Sequence, residues 1–270
     1  LLAVNAWLKV KYLSLAIYLG LAMGSKWSAI YYVAILLVLD LFINRKLLRT
    51  IRVGITSLLV YLISWFGWFN SNLGWDRKVK SNPFSSLLYY HKEMLNFHTS
   101  LTEKHTYQAN PWSWLVMGRP TSFYYQSPKG CGSKDCAKEV LAIGTPILWW
   151  LGAIAVIFLI GVNLHNLAMR EFDSAAVIPM LGIIAGYLPW FFFQKRTVFT
   201  FYAIVFEPFL ILALVLMAKM AYEYDERFKY LIGIAVLIIA INFIDFYPLF
   251  TGITITYKDW YSHMWWSSWI

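Results

Sequence analysis

A chain of 270 residues that is 60% hydrophobic and 14% charged carries more apolar side chain than a soluble fold of this length can bury. Soluble enzyme, nucleic-acid-binding domain and disordered tail are therefore excluded as whole-chain classes, and the chain reads as an all-α integral membrane protein. Its net charge of +9 is then a topology signal before it is a binding signal.

About seven apolar stretches are long enough to span a bilayer, at 6–24, 28–44, 51–69, 143–164, 174–193, 198–218 and 229–250. They group as three helices in 1–69, a long segment 70–142, four helices in 143–250 and an aromatic tail 251–270. Lys9 and Lys11 must snorkel at the start of the first stretch. The 44–52 turn carries Arg45, Lys46, Arg49 and Arg52, so it is expected in the cytoplasm. Alternation then puts 165–173 and 219–229 inside, and 70–142 and the tail outside. Lys26, in the turn Gly24–Trp27, and Lys195 and Arg196, in the turn 194–197, fall outside against the charge rule. Two readings stand for these cations: snorkelling anchors, or a pocket for an anionic lipid group, to which a planar guanidinium offers two donors at once.

In 70–142, Leu87, Tyr90, Met94, Phe97 and Leu101 recur every three or four residues. This spacing predicts an amphipathic helix on the outer membrane surface. His91, His98 and His105 are spaced by seven, which is not the spacing of paired zinc ligands, and hydrogen-bonding roles are expected for the first two. No metal site is expected. The run 105–120, HTYQANPWSWLVMGRP, interleaves aromatic and polar groups in the manner of a sugar-binding surface or of an interfacial belt. Cys131 and Cys136 flank a short glycine-containing loop on the outer side, where an oxidising compartment favours a disulfide. Glu207, Asp245 and Asp40 fall within the apolar stretches, where packing partners are expected for them.

The stretches 20–32, 90–125, 131–150, 186–210 and 257–270 resemble the C-terminal portion of the actinobacterial protein O-mannosyltransferases that use polyprenyl-phosphate mannose. The His-x-Tyr…Pro-Trp-x-Trp…Arg-Pro pattern from His105 to Pro120 and the Leu-Pro-Trp…Arg…Phe-Tyr pattern from Leu188 to Tyr202 carry the likeness. The resemblance implies a glycosyltransferase of the GT-C architecture in the bacterial plasma membrane. Such an enzyme moves mannose from the lipid phosphate to Ser or Thr of secreted proteins, without cofactor or nucleic acid, with membrane lipid and the protein export machinery as further partners. Segment 70–142 is too short for the large lumenal insert of the eukaryotic relatives. The family's catalytic aspartate belongs to a first external loop that would precede this chain, so no catalytic residue, and no activity of the isolated chain, is expected within 1–270.

The resemblance makes Arg196 the chief ligand of the donor phosphate, with Lys195, Lys26 and Arg119 as further candidates. It sets His105, Tyr107, Trp112 and Trp114 on the sugar or acceptor side and Tyr202 along the lipid groove. Two alternatives remain: another lipid-linked transferase of this architecture, such as an aminoarabinose transferase, and a transporter. A transporter would be expected to have internal repeats or aligned intramembrane charges, and the sequence offers neither.

Overall fold

The computed structural model describes all 270 residues and is mostly helical. Five segments are long and apolar enough to cross a membrane: Trp27–Asn44, Leu47–Ser64, Pro146–Met169, Ser174–Phe193 and Phe228–Thr251. The chain divides into two compact units, Leu1–Thr102 with Ile184–Pro189, and Glu103–Ile183 with Trp190–Ile270. One boundary of that division, at 102/103, falls inside the segment 70–142.

The first unit contains α1 (Leu2–Leu8), α2 (Tyr12–Ser25), α3 (Ile30–Asn44), α4 (Leu47–Ser64), α5 (Phe66–Asn70) and α6 (Pro83–Ser100). The first expected span is thus two helices. Val10 sits in the left-handed region at φ 58°, and the flanking Lys9 and Lys11 escape the apolar face at that break. Gly20 of α2 lies where a Cβ would meet the Ser57 carbonyl and the Val60 side chain of α4, so the backbones approach closely. At the other end of α3, Asp40 is buried and accepts hydrogen bonds from Trp7 Nε1 at 3.0 Å, Asn44 Nδ2 at 2.9 Å and Thr50 Oγ1 at 3.1 Å. Arg49 Nη2 adds an ion pair at 3.1 Å, and its guanidinium lies 4.1 Å from the Tyr12 ring centre. One carboxylate therefore joins α1, α3 and α4.

Helix α6 is capped by Asn82, whose side chain accepts from the Ser85 amide, with Pro83 in the first turn. Leu87 is its buried apolar residue, whereas Phe97 and Leu88 are exposed. His91 has the hydrogen-bonding role expected of it. Its Nδ1 faces the Leu87 carbonyl at 2.8 Å and must donate there, leaving Nε2 to accept from the Tyr61 hydroxyl at 2.5 Å. Trp27, Trp65 and Tyr90 pack around this pair.

The second unit holds α7 (Pro146–Met169), most of α8 (Ser174–Tyr187), α9 (Glu207–Tyr224) and α10 (Phe228–Thr251). The sixth expected stretch, 198–218, starts as a 3₁₀ turn, Thr200–Val205, and becomes α-helical only at Glu207. Pro208 in the first turn of α9 explains that start, because it lacks an amide to donate. An apolar cleft of about 990 Å³ lies among α7, α9 and α10, lined by residues such as Leu151, Leu214 and Val236. In the α9–α10 turn, the Arg227 guanidinium on Asp225 holds that exposed carboxyl below its usual range. A Cβ on Gly152 of α7 would collide with the Leu210 side chain of α9. Gly152→Ala is therefore expected to lower stability by roughly 1–3 kcal/mol through overpacking. Thermal melting of the detergent-purified protein measures this, and an unchanged midpoint would mean that α7 and α9 separate freely.

Hydropathy did not foresee the strands. β1 (Thr121–Gln126) pairs antiparallel with β2 (Cys136–Ala142), and β2 pairs with the short β3 (Ile255–Thr256), giving the order β1-β2-β3. A register shift between Ser122 and Tyr124 leaves Phe123 as a bulge. The β1–β2 loop is closed by a disulfide between Cys131 and Cys136. Replacing both cysteines by serine is expected to cost about 2 kcal/mol, the loop-closure value for so short a ring. Non-reducing peptide mapping of the native protein should recover the linked pair, and two free thiols would refute it.

The tail folds back on this sheet. Buried Glu139 of β2 accepts from Trp260 Nε1 at 2.5 Å within α11 (Tyr257–Ser262). His263 bridges the carbonyls of Asp259 at 2.6 Å and Asp245 at 2.9 Å, tying α11 to α10.

Candidate functional site

Arg196 lies between two 3₁₀ turns, Leu188–Phe193 and Thr200–Val205. Its amide donates to the Phe193 carbonyl at 2.9 Å, which sets the side chain beside the aromatic residues of both turns. The guanidinium carbon is 5.6 Å from the Trp190 ring centre and 5.8 Å from that of Tyr202, both within cation–π range. The two rings are themselves 4.8 Å apart. Arg196 is half-buried, whereas Lys195 is exposed. A guanidinium fixed against π faces keeps its planar fork oriented and is less hydrated than a free one, which suits a doubly bonded phosphate oxygen pair.

The loop 103–120 is fastened to this turn at three points. Thr197 Oγ1 donates to the Glu103 carbonyl, the Ala109 amide donates to the Val198 carbonyl at 2.8 Å, and Thr200 Oγ1 donates to the Arg119 carbonyl at 2.6 Å. The loop thereby places His105 edge-on to Phe199 at 5.2 Å between ring centres. The Tyr107 amide donates to His105 Nδ1 at 3.1 Å, so the neutral imidazole carries its proton on Nε2 and remains a donor from an exposed side chain. Trp112 is 69% exposed and packs on Phe191 at 4.6 Å.

Two expected site residues have other work. Trp114 is fully buried, donates through Nε1 to the Ala109 carbonyl at 2.9 Å, and accepts at its carbonyl from Trp149 of α7 at 2.9 Å. It is a core residue that anchors the loop to α7, and it presents no face to a sugar. Arg119 stacks on Tyr107 at 5.0 Å and donates to the carbonyls of Thr106 at 3.3 Å, Ser268 at 2.5 Å and Ile270 at 2.6 Å. Those bonds, from Nε and Nη1, make it a clamp between loop and tail. Lys26 is exposed in the first unit, before the Trp27–Ala29 turn. Trp190 and Phe199 join the site without having been singled out in the sequence. Their signal lay in the family-like run 186–210, where Trp190 is six residues from Arg196, a local cation–π opportunity, and Phe199 is three residues from it.

Comparison with known proteins follows the same outline. The family description "C-terminal four TMM region of protein-O-mannosyltransferase" matches residues 83–269. Curated proteins named polyprenol-phosphate-mannose–protein mannosyltransferase are similar over nearly the whole chain. The one from Mycolicibacterium smegmatis is 30% identical over 93% of this chain and 56% of its own length. That from Mycobacterium tuberculosis is 29% identical with the same coverage. That from Corynebacterium glutamicum is 28% identical over 94% of this chain and 56% of its own. The chain thus spans a little over half the length of these relatives. The solved Saccharomyces cerevisiae protein O-mannosyltransferase Pmt1–Pmt2 complex bound to the sugar donor shares the fold, with a TM-score of 0.57 at 23% identity over 74% of this chain and 29% of that chain. With the helical frame, the matched loop and tail, and the actinobacterial relatives in agreement, the chain belongs to the protein O-mannosyltransferase family and carries its C-terminal membrane region.

Proposed function

We propose that this chain is the C-terminal part of a plasma-membrane enzyme that transfers mannose from polyprenyl-phosphate mannose to Ser or Thr of exported proteins. The observation that carries the reading is the Arg196 guanidinium held against Trp190 and Tyr202. The names of the actinobacterial relatives support the choice of donor and acceptor. As the sugar departs, its phosphate gathers negative charge, and a cation already oriented stabilises that charge without reorganising.

In this reading Arg196 is the main phosphate ligand, with the exposed Lys195 as a helper. His105 Nε2, Tyr107 and Trp112 serve the sugar or acceptor, and Tyr202 borders the lipid. Arg119 and Trp114 hold the loop in place. The carboxylate that takes the acceptor proton is assigned to a preceding external loop, as the family resemblance implies. Seven crossings, with α2 and α9 completing the set, put 70–142 and 251–270 outside the cell.

Membranes carrying the native protein, given radiolabelled polyprenyl-phosphate mannose and a Ser/Thr peptide, are expected to yield mannosylated peptide. Impermeant thiol labelling is expected at an introduced cysteine near Lys129 and not near Arg49. Transfer of a different lipid-linked sugar in place of mannose would overturn the reading of the donor, and the reverse labelling pattern would overturn the topology.

A further inference from the structure

We infer that the free edge of β1 binds the acceptor as an added strand, so that the substrate is recognised as extended backbone before any side chain is read. This inference rests on the proposed transfer to proteins. β1 is the outermost strand of the β1-β2-β3 sheet, and beyond its ladder with β2 no other strand or loop backbone pairs with residues 121–126, whose one further backbone contact is a long bond from Ser122 Oγ to the Tyr124 carbonyl at 3.5 Å. Such an edge is a row of open donors and acceptors, a liability that folds usually cover or blunt with charge. Here it is left open and aromatic: Phe123 is 60%, Tyr125 43% and Tyr124 38% exposed. At the start of the strand, Thr121 is buried with its hydroxyl unpaired, a further polar group without a partner beside that edge.

The edge is continuous with the candidate site. The bulge at Phe123 is accompanied by a contact between its ring and Phe201 at 5.2 Å. Phe201 stacks on Phe199 at 5.4 Å and meets Tyr202 at 4.9 Å, and Tyr202 is the ring beside Arg196. A polypeptide laid along β1 therefore runs toward the phosphate-binding side chain. A strand rises about 3.3 Å per residue, so this edge holds roughly six residues of acceptor. Main-chain pairing supplies affinity without demanding a sequence, which suits an enzyme whose acceptors share only a hydroxyl. A second copy of this chain is a poorer occupant, because two bulged strands cannot keep a common register across Phe123, whereas an unfolded segment adapts to the bulge. A Ser- or Thr-bearing extended polypeptide is the occupant to which the geometry points.

The test uses the native protein in lipid nanodiscs, without donor, and a fluorescent ten-residue Ala/Val/Thr peptide carrying one photoreactive group. Backbone N-methylation at every second residue removes the donors on one edge of the peptide. One parity of methylation is expected to weaken binding about tenfold or more, the loss of several backbone hydrogen bonds, and the other parity to leave it within about twofold. Photocrosslinks are expected at 121–126. Equal sensitivity of both parities, crosslinks elsewhere, no binding at saturating peptide, crosslinking to lipid alone, or β1-to-β1 crosslinks unaffected by peptide would each overturn strand addition. Mannose transfer to the same unmethylated peptide is assayed separately. Transfer without the two-residue periodicity removes this inference and leaves the proposed function standing. Periodic binding without transfer to any hydroxyl does the reverse.

Discussion

Arg196→Ala is expected to lower mannose transfer tenfold to hundredfold at subsaturating donor. The side chain lies beside the Trp190 and Tyr202 rings, and removing it would delete the proposed charge-assisted bond to the donor phosphate, worth roughly 1.5–3 kcal/mol. Loss of that size corresponds to about one to two powers of ten in efficiency. Arg196→Lys is expected to recover only part, because an ammonium is a point charge that neither forks to two oxygens nor lies flat against Trp190 and Tyr202. If the residue were only an outer-headgroup anchor, lysine would restore almost everything. Initial rates against donor concentration for the native protein and both variants, at matched membrane abundance, decide between the two. Native rates in both variants would remove Arg196 from the donor site.

The largest effect on stability is expected at Asp40. Its carboxylate is nearly inaccessible and takes bonds from Trp7, Asn44, Arg49 and Thr50, which lie on three helices. Asp40→Ala leaves four donors facing a void in a low-dielectric setting, and breaking such a pair costs about 3–5 kcal/mol. Asp40→Asn keeps one acceptor oxygen but removes the charge opposite Arg49, so it should fall between. Equilibrium unfolding in mixed micelles, followed by tryptophan fluorescence, gives the order. An alanine variant as stable as the native protein would mean that Arg49, a fifth exposed at its side chain, simply turns to the headgroups and that the network holds little.

Long apolar runs were readable from the sequence because composition alone decides them. Helices α7 and α10 sit close to the stretches 143–164 and 229–250. The break at Val10 was not readable, since averaging over a span hides one residue with positive φ between two lysines. Nor was β2. Its run CAKEVLA puts Glu139 on the buried side, against any hydropathy rule, because Trp260 supplies a hydrogen bond from 121 positions away. The same limit applied to the site. Arg196 could be singled out because a cation in a short turn expected on the outer side defies the charge rule. Trp112 and Trp114 are two residues apart and look alike in sequence. One is open and the other fully enclosed, and only the packing against α7 separates them. The acceptors of Arg119 lie about 150 positions away in the tail, beyond the reach of any local pattern.

The clamp on loop 106–119 also fixes when that loop can be fastened during synthesis. Its partners are the last few residues described: Ser268 takes a bond from Arg119 and gives one to the Gly118 carbonyl, and Trp269 gives one to the Met117 carbonyl, across separations of 149, 150 and 152 residues. Ribosomes add roughly 5–20 residues per second, so the loop waits on the order of ten seconds or more for its fasteners. During that interval α7, α8, α9 and α10 are synthesised while the aromatic loop stands unlatched. Synthesis of these helices and closure of the loop are thus separate events, and the second is timed by the arrival of residues 268–269. A variant cut before Ser268 would keep these helices and leave the loop open, a form that limited proteolysis distinguishes from the longer one.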